Sequence, residues 1–253
     1  MRVIAAILGV IACVPSFGTT LLIDSFRNEQ ALVTAPGSNG RRSVHAAHEA
    51  LDAIGGIREV LVQRHAGSGL VQADVGITMP SAFNFASGAF ARGSVVVTWD
   101  GPVSDLALAG DTESQIPRRF GLRTDLTSVG ASNAVSFRAY SDVGVDVTLT
   151  FYRTSGQFVT AIVKVPPGYN PDEDPVLQDF YVPFSDFIAT GELSPYDVFQ
   201  DTRAITMLVA GRAGADAVIA NFGTTQLPEP AYGGAVGLLI ILGVNLWKGA
   251  TAA

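Results

Sequence analysis

Residues 145–165 read VDVTLTFYRTSGQFVTAIVKV. Apolar and polar side chains alternate, so Val145, Val147, Leu149 and Phe151 share one face and Asp146, Thr148, Thr150 and Tyr152 the other. A repeat of two belongs to a pleated strand and not to a helix, whose repeat is near 3.6. Ser155-Gly156 separates two such runs, which predicts a β-hairpin with a tight turn. The same reading puts Val135, Phe137 and Ala139 opposite Ser136, Arg138 and Tyr140. Similar runs recur along the chain: LLIDSF, IREVLVQ, LVQADVGITM, GSVVVTWDG, QDFYVPFSDF, AITMLVAG and DAVIANFGTT. Gly, Pro, Asn and Asp cluster between them. Many short strands with turn signals at this spacing predict an all-β chain built as an antiparallel sandwich. Pro183 lies inside an apolar run, so that strand is expected at an edge or beside a bulge. Only RRSVHAAHEALDAIGG reads as a short helix, ended by Gly55-Gly56.

The two ends read differently. Met1-Arg2 precedes VIAAILGVIACV, and small residues follow at Ser16 and Gly18. A basic start, a short apolar core and small residues predict a secretory signal peptide over 1–18, cut after Gly18. The apolar core is shorter than the about 20 residues a membrane helix needs. A buried N-terminal strand is the alternative. Cys13, the only cysteine, ends the segment VIAC, which resembles a lipobox, so a lipoprotein lipidated at Cys13 is a second alternative. Residues 19–226 then form the predicted body, with neither a disulfide nor a thiol ligand. Leaving out Arg2 and Lys248 from the 16 cations, and Glu229 from the 23 acids, gives 14 against 22, a net charge of −8 for the body. That balance argues against nucleic acid, which is held through phosphate by basic patches.

At the other end, 231–247 contains 17 residues and no charge. As a helix it would be about 25 Å long, enough to cross a bilayer. Pro228 and Pro230 would bound it, Trp247 suits the interface, and Lys248 marks the cytoplasmic side. A buried core helix is the alternative. The segment 227–253, with Pro228-Glu229-Pro230, an apolar stretch and a basic end, resembles the PEP-CTERM sorting signal of bacterial exported proteins. The resemblance implies recognition by an exosortase-type membrane protease, cleavage near the motif, delivery to the cell surface or matrix, and a link to exopolysaccharide. The departure is at the end, where a single Lys248 stands in place of several Arg residues.

Several short motifs in the body also resemble those of PEP-CTERM proteins. They are Ile23-Asp24 with Phe26; the Ile-Gly-Gly-x-Arg-Glu segment from Ile54 to Glu59; Trp99-Asp100-Gly101; Asp125-Leu126-Thr127; Pro183 to Phe187; and GRAGADAVIANFGT. This order is similar to jelly-roll, galactose-binding-like domains. It implies a jelly-roll-like β-sandwich, and a structural calcium where first and last strands meet, with Asp24 and Asp216 as ligands.

Chemistry is sparse. His45, His48 and Glu49 in HAAHE would share a helix face, but the order is not His-Glu-x-x-His and no third ligand is placed. No Gly-x-Ser-x-Gly elbow, phosphate loop or dinucleotide fingerprint occurs. Asp172, Glu173 and Asp174 supply oxygen ligands without the spacing of a calcium loop. Tyr140, Tyr152, Tyr169, Tyr181 and Tyr196 are candidates for stacking on sugar rings, as is Trp99 unless it covers a sandwich edge. The expectation is a non-enzymatic protein without cofactor, exported and anchored through its tail, and associated with the cell surface or extracellular matrix. A carbohydrate-binding module on the same fold is the alternative, with extracellular polysaccharide as partner. A hydrolase would need an acid pair or metal cluster in a cleft.

Overall fold

The computed structural model describes residues 19–35, 42–101, 120–168 and 176–228. Its strands in chain order are β1 (Thr19–Asp24), β2 (Gln30–Ala35), β3 (Arg42–Glu49), β4 (Ile57–Gly67), β5 (Val71–Val75), β6 (Phe83–Ser87) and β7 (Ala91–Trp99). They continue with β8 (Ala134–Ser141), β9 (Val145–Thr154), β10 (Gln157–Val165), β11 (Gln178–Pro183), β12 (Ile188–Ala189), β13 (Ala204–Gly211) and β14 (Asp216–Thr225). Among the described residues one short α-helix, α1 (Pro195–Gln200), precedes β13. Thr19–Gln226 forms one compact unit.

Two antiparallel sheets of seven strands face each other, the two-layer sandwich that the alternation predicts. The first runs β11-β8-β14-β6-β5-β2, with β1 also paired to β14. The second runs β12-β10-β9-β13-β7-β4-β3. β14 serves two partners along one edge: its first half pairs with β6 and its second half with β1. The division falls at a register shift between Ala220 and Gly223, where Asn221 adopts φ 52. Asn tolerates this left-handed conformation better than most residues, and the extra residue turns the strand. The predicted hairpin is β9–β10, joined through Ser155-Gly156 in register Thr154↔Gln157. Pro183 ends β11, an edge strand, as its missing N–H requires.

The inward faces are those that period two assigns. Val145, Val147, Leu149 and Phe151 are buried, as are Val135, Phe137 and Ala139. The expected helix at RRSVHAAHE is instead the edge strand β3, paired along its length with β4 from Arg42↔Arg64 to Glu49↔Ile57. Val44 and Ala46, two apart, pack on the core. Pairing and burial thus override the helix preference of Ala and Glu.

Three sequence motifs meet in the core. Asp24 at the end of β1, Arg58 on β4 and Trp99 on β7 are all fully buried. Arg58 donates from Nε to Asp24 Oδ2 at 2.7 Å and from Nη2 to Oδ1 at 2.8 Å. Trp99 Nε1–H donates to Oδ2 at 2.8 Å, and the Phe26 N–H to Oδ1 at 2.7 Å. The guanidinium carbon lies 5.3 Å from the centroid of the Phe26 ring, and Phe26 and Phe222 pack on the indole. Burial pushes the Asp24 carboxyl up from its ordinary value of 3.8, against the pull of Arg58, the Phe26 N–H and Trp99. Gly55 has φ +78, and a Cβ there would stand 2.9 Å from Gly101 Cα. The Ile-Gly-Gly and Trp-Asp-Gly turns therefore touch backbone to backbone, which brings Arg58 and Trp99 onto the same carboxylate.

Candidate functional site

The outward face of the second sheet carries an open groove of ≈ 800 Å³. Strand register builds it. Gln63 on β4 pairs with Ser94 on β7, Ser94 with Ala210 on β13, Ala210 with Asp146 on β9, and Asp146 with Lys164 on β10. These five positions form one row across five strands, spanning four inter-strand spacings or about 19 Å. A parallel row two residues along brings Val96 and Leu208 into the floor. Beyond it Glu59, Thr98 and Thr206 are buried, so the open part of this face is the end bearing the first row. Arg92 at the start of β7, Arg212 just past β13 and His65 on β4 stand at the rim, with Pro166 and Pro167 after β10. His65 Nε2 is 2.7 Å from Ser94 Oγ, which orients the imidazole along the groove wall. Among the described residues the lining contains no Phe, Tyr or Trp.

A smaller cavity of ≈ 270 Å³ lies on the outward face of the first sheet. Tyr140, Val218, Asn84 and Asp74 make its cross-strand row, and Asp216 and Thr78 also line it. Asp74 is saturated, accepting from the Ile77 and Thr78 N–H groups, the Thr78 hydroxyl and Asn84 Nδ2. Burial, and then the charge of Asp142, push the Asp216 carboxyl up.

The residues singled out in the sequence distribute as follows. Asp24 and Asp216 do not come together: Asp24 pairs with Phe222, six residues along β14 from Asp216, or about 20 Å. First and last strands do meet, but at the meeting point Asp24 already holds Arg58 and Trp99. Among the described residues no group of three or more His, Cys, Asp or Glu side chains is placed to hold a metal. His48 lies on β3, opposite Arg58 in register, and a strand gives positions three apart no common face. Trp99 is a core residue and offers no ring to a ligand. Tyr152 is buried against Phe120 and Phe158. Tyr196 on α1 packs edge-on to Phe184. Tyr140 and Tyr181 share one sheet face, but Tyr181 pairs with Ser136, four residues along β8 from Tyr140, roughly 13 Å away. The described tyrosines therefore make no stacking platform. Pro228 is exposed at the end of the described chain. Gly18, Cys13, Glu229, Pro230, Trp247 and Lys248 lie outside the described residues, as do Tyr169 and Asp172 to Asp174. Among the described residues no helix is long and apolar enough to cross a membrane. The groove residues had no motif to announce them; only the alternation of β4, β7, β9, β10 and β13 marks them as outward-facing.

No protein-family model and no characterised protein matches the chain. Solved structures give distant matches. A family 11 carbohydrate-binding module of a cellulosomal cellulase from Clostridium thermocellum is 11% identical, with 86% of this chain and 100% of that chain covered and a TM-score of 0.37. The agarase AgWH50C is 11% identical, with 82% of this chain but 26% of that chain covered and a TM-score of 0.41. TmCBM61, solved in complex with β-1,4-galactotriose, is 13% identical, with 76% of this chain and 92% of that chain covered and a TM-score of 0.30. Identities and TM-scores this low leave the ligand to be argued from the residues of the groove itself.

Proposed function

We propose that the body is a non-catalytic carbohydrate-binding module of jelly-roll type, which holds an extended glycan in the groove across β4, β7, β13, β9 and β10. The carrying observation is the groove's form. It is open, it crosses five strands, and it has the volume of an ordinary ligand site. Its floor mixes flat aliphatic groups with hydrogen-bonding side chains from Gln63 and Asp146. An open channel suits a chain that enters and leaves at both ends, whereas a small metabolite needs enclosure on most sides. Affinity electrophoresis of the protein through gels containing single polysaccharides tests this. Retardation by at least one polymer is expected, and Ala210→Trp, which fills the floor with an outward-facing ring, abolishes it. Retardation unchanged by Ala210→Trp would remove the groove from the account.

The proposal extends to address. The chain is exported, and its C-terminal segment with Pro228, Glu229 and Pro230 tethers it or hands it to a sorting protease, so the glycan would be extracellular. The support is the uncharged stretch 231–247 bounded by two prolines and Lys248. Fractionation of the full chain against a deletion of 227–253 tests it: only the full chain is expected in membranes or at the surface. Identical soluble behaviour of both would end that part of the reading.

A further inference from the structure

We infer that the groove selects an acidic polysaccharide, one bearing carboxylate or sulfate groups; this rests on reading the groove as a glycan site. The chain as a whole is acidic, with a net charge of −7. Around the groove the sign reverses. Among the described residues that line it, Arg92, Lys164 and Arg212 are exposed, against one acid, Asp146. Among the described residues, none of the three cations has an ion-pair or side-chain hydrogen-bond partner. Arg58, Arg138, Arg153 and Arg203, by contrast, each sit on an aspartate. A basic patch of unpaired side chains on a negative body is an electrostatic funnel for anions. The two guanidinium groups add geometry, because their forked donors match the paired oxygens of a carboxylate or a sulfate.

The chemistry of the floor agrees. Neutral polysaccharides are held largely by stacking of pyranose faces on Phe, Tyr and Trp rings, and among the described residues the groove lining contains none of these. The floor offers Val96, Leu208 and Ala210 for modest apolar contact and Gln63 for hydroxyl groups, with Ser94 buried beneath and bonded to His65. Charge-assisted hydrogen bonds at the rim are then the largest source of affinity available. Such contacts are exposed, so they weaken steeply with added salt. A nucleic-acid ligand has the same sign of charge but not the same fit. A long polyphosphate would have to continue beyond the three cations along a net-negative surface.

The test uses the full chain in affinity gels containing polygalacturonate, a sulfated galactan or neutral dextran, with single-stranded DNA as soluble competitor. Retardation by polygalacturonate or the sulfated polymer is expected, and the two arms tell carboxylate from sulfate. Dextran is expected to have no effect. Arg92→Gln with Arg212→Gln, both exposed substitutions, should weaken binding about tenfold or more, and Ala210→Trp should abolish it. Binding of dextran that Ala210→Trp removes but the arginine substitutions spare would overturn the acidic preference and leave the groove reading standing. Binding of an acidic polymer that neither change affects would overturn both. Displacement by single-stranded DNA at equal charge would make the patch a general polyanion surface and overturn the preference for a glycan.

Discussion

Replacing Arg58 by Ala strikes the point where three sequence motifs converge. The wild-type side chain is fully buried and makes two short charge-assisted bonds to Asp24, one at 3.1 Å to the Asn28 carbonyl, and a cation–π contact with Phe26. The substitution leaves the Asp24 carboxylate in the core with only the Phe26 N–H and Trp99 Nε1–H as donors. Breaking one side of a buried pair costs about 3–5 kcal/mol, more than the pair itself contributes over apolar residues. For a body of this size each kcal/mol lowers Tm by about 2–4 °C, so a fall of about 6–20 °C is expected. Circular dichroism of thermal unfolding reads it, and Trp99 fluorescence reports the same transition from inside the cluster. The loss should also depend on pH. Without Arg58, burial alone raises the Asp24 pKa in the folded state further above its unfolded value. The folded state then binds a proton more tightly than the unfolded one, so the variant regains stability as pH falls towards the ordinary carboxylate value and loses it as pH rises. Adding Asp24→Asn should recover much of the loss at neutral pH, because the uncompensated charge is gone. A fall in stability under about 1 kcal/mol, or losses that simply add in the double variant, would refute the view that the pair is coupled.

Three other outcomes follow from local geometry. Gly55→Ala should cost more than about 1–2 kcal/mol, read by urea unfolding, since positive φ and the 2.9 Å approach to Gly101 Cα both oppose a Cβ. Ser194→Ala removes the capping box of α1, in which Ser194 and Asp197 each hold the other's N–H, and should cost about 1 kcal/mol in the same assay. The carboxylates held low should cost stability as pH falls below about 4, while Asp24 and Asp216, raised by burial, act in the opposite sense and lose stability as pH rises through their folded values. The Arg203 hydrogen bond holds Asp201 below its ordinary 3.8; in Asp52 and Asp125 burial pushes upward, but hydrogen bonds led by those from Ser25 and Thr127 outweigh it. Depressed carboxylates stabilise the fold above their unfolded pKa, and that stability is lost as pH falls through the folded values; melts recorded from neutral pH to about pH 2 check this.

The strand faces were legible because alternation is a local property. The β9–β10 hairpin and the edge position of Pro183 follow from a turn dipeptide and from a missing N–H, which need no tertiary knowledge. β3 was not legible, since Ala and Glu favour a helix and only pairing with β4 overrides them. β2 and β6 are five or six residues long and lack the clear alternation of β9. The motif residues Asp24, Arg58 and Trp99 stood out in the sequence, but their roles did not. Asp24 looked available to a cation and is instead committed to Arg58, while Trp99 looked available to a sugar and lies in the core. The groove was hidden for a different reason. Gln63, Ser94, Asp146, Lys164 and Ala210 are spread over nearly 150 residues of sequence, and only the spatial order β4-β7-β13-β9-β10 makes them neighbours. Alternation says which face a residue takes and is silent on which strand lies beside it.

The central claim is that a glycan lies along this row, and an amide NMR titration with an acidic oligosaccharide tests it most directly. The account predicts saturable shifts at Gln63, Ser94, Ala210, Asp146 and Arg212, while Tyr140, Asn84 and Asp74 on the other sheet stay still. Shifts confined to that second set, or none at either face, would contradict it.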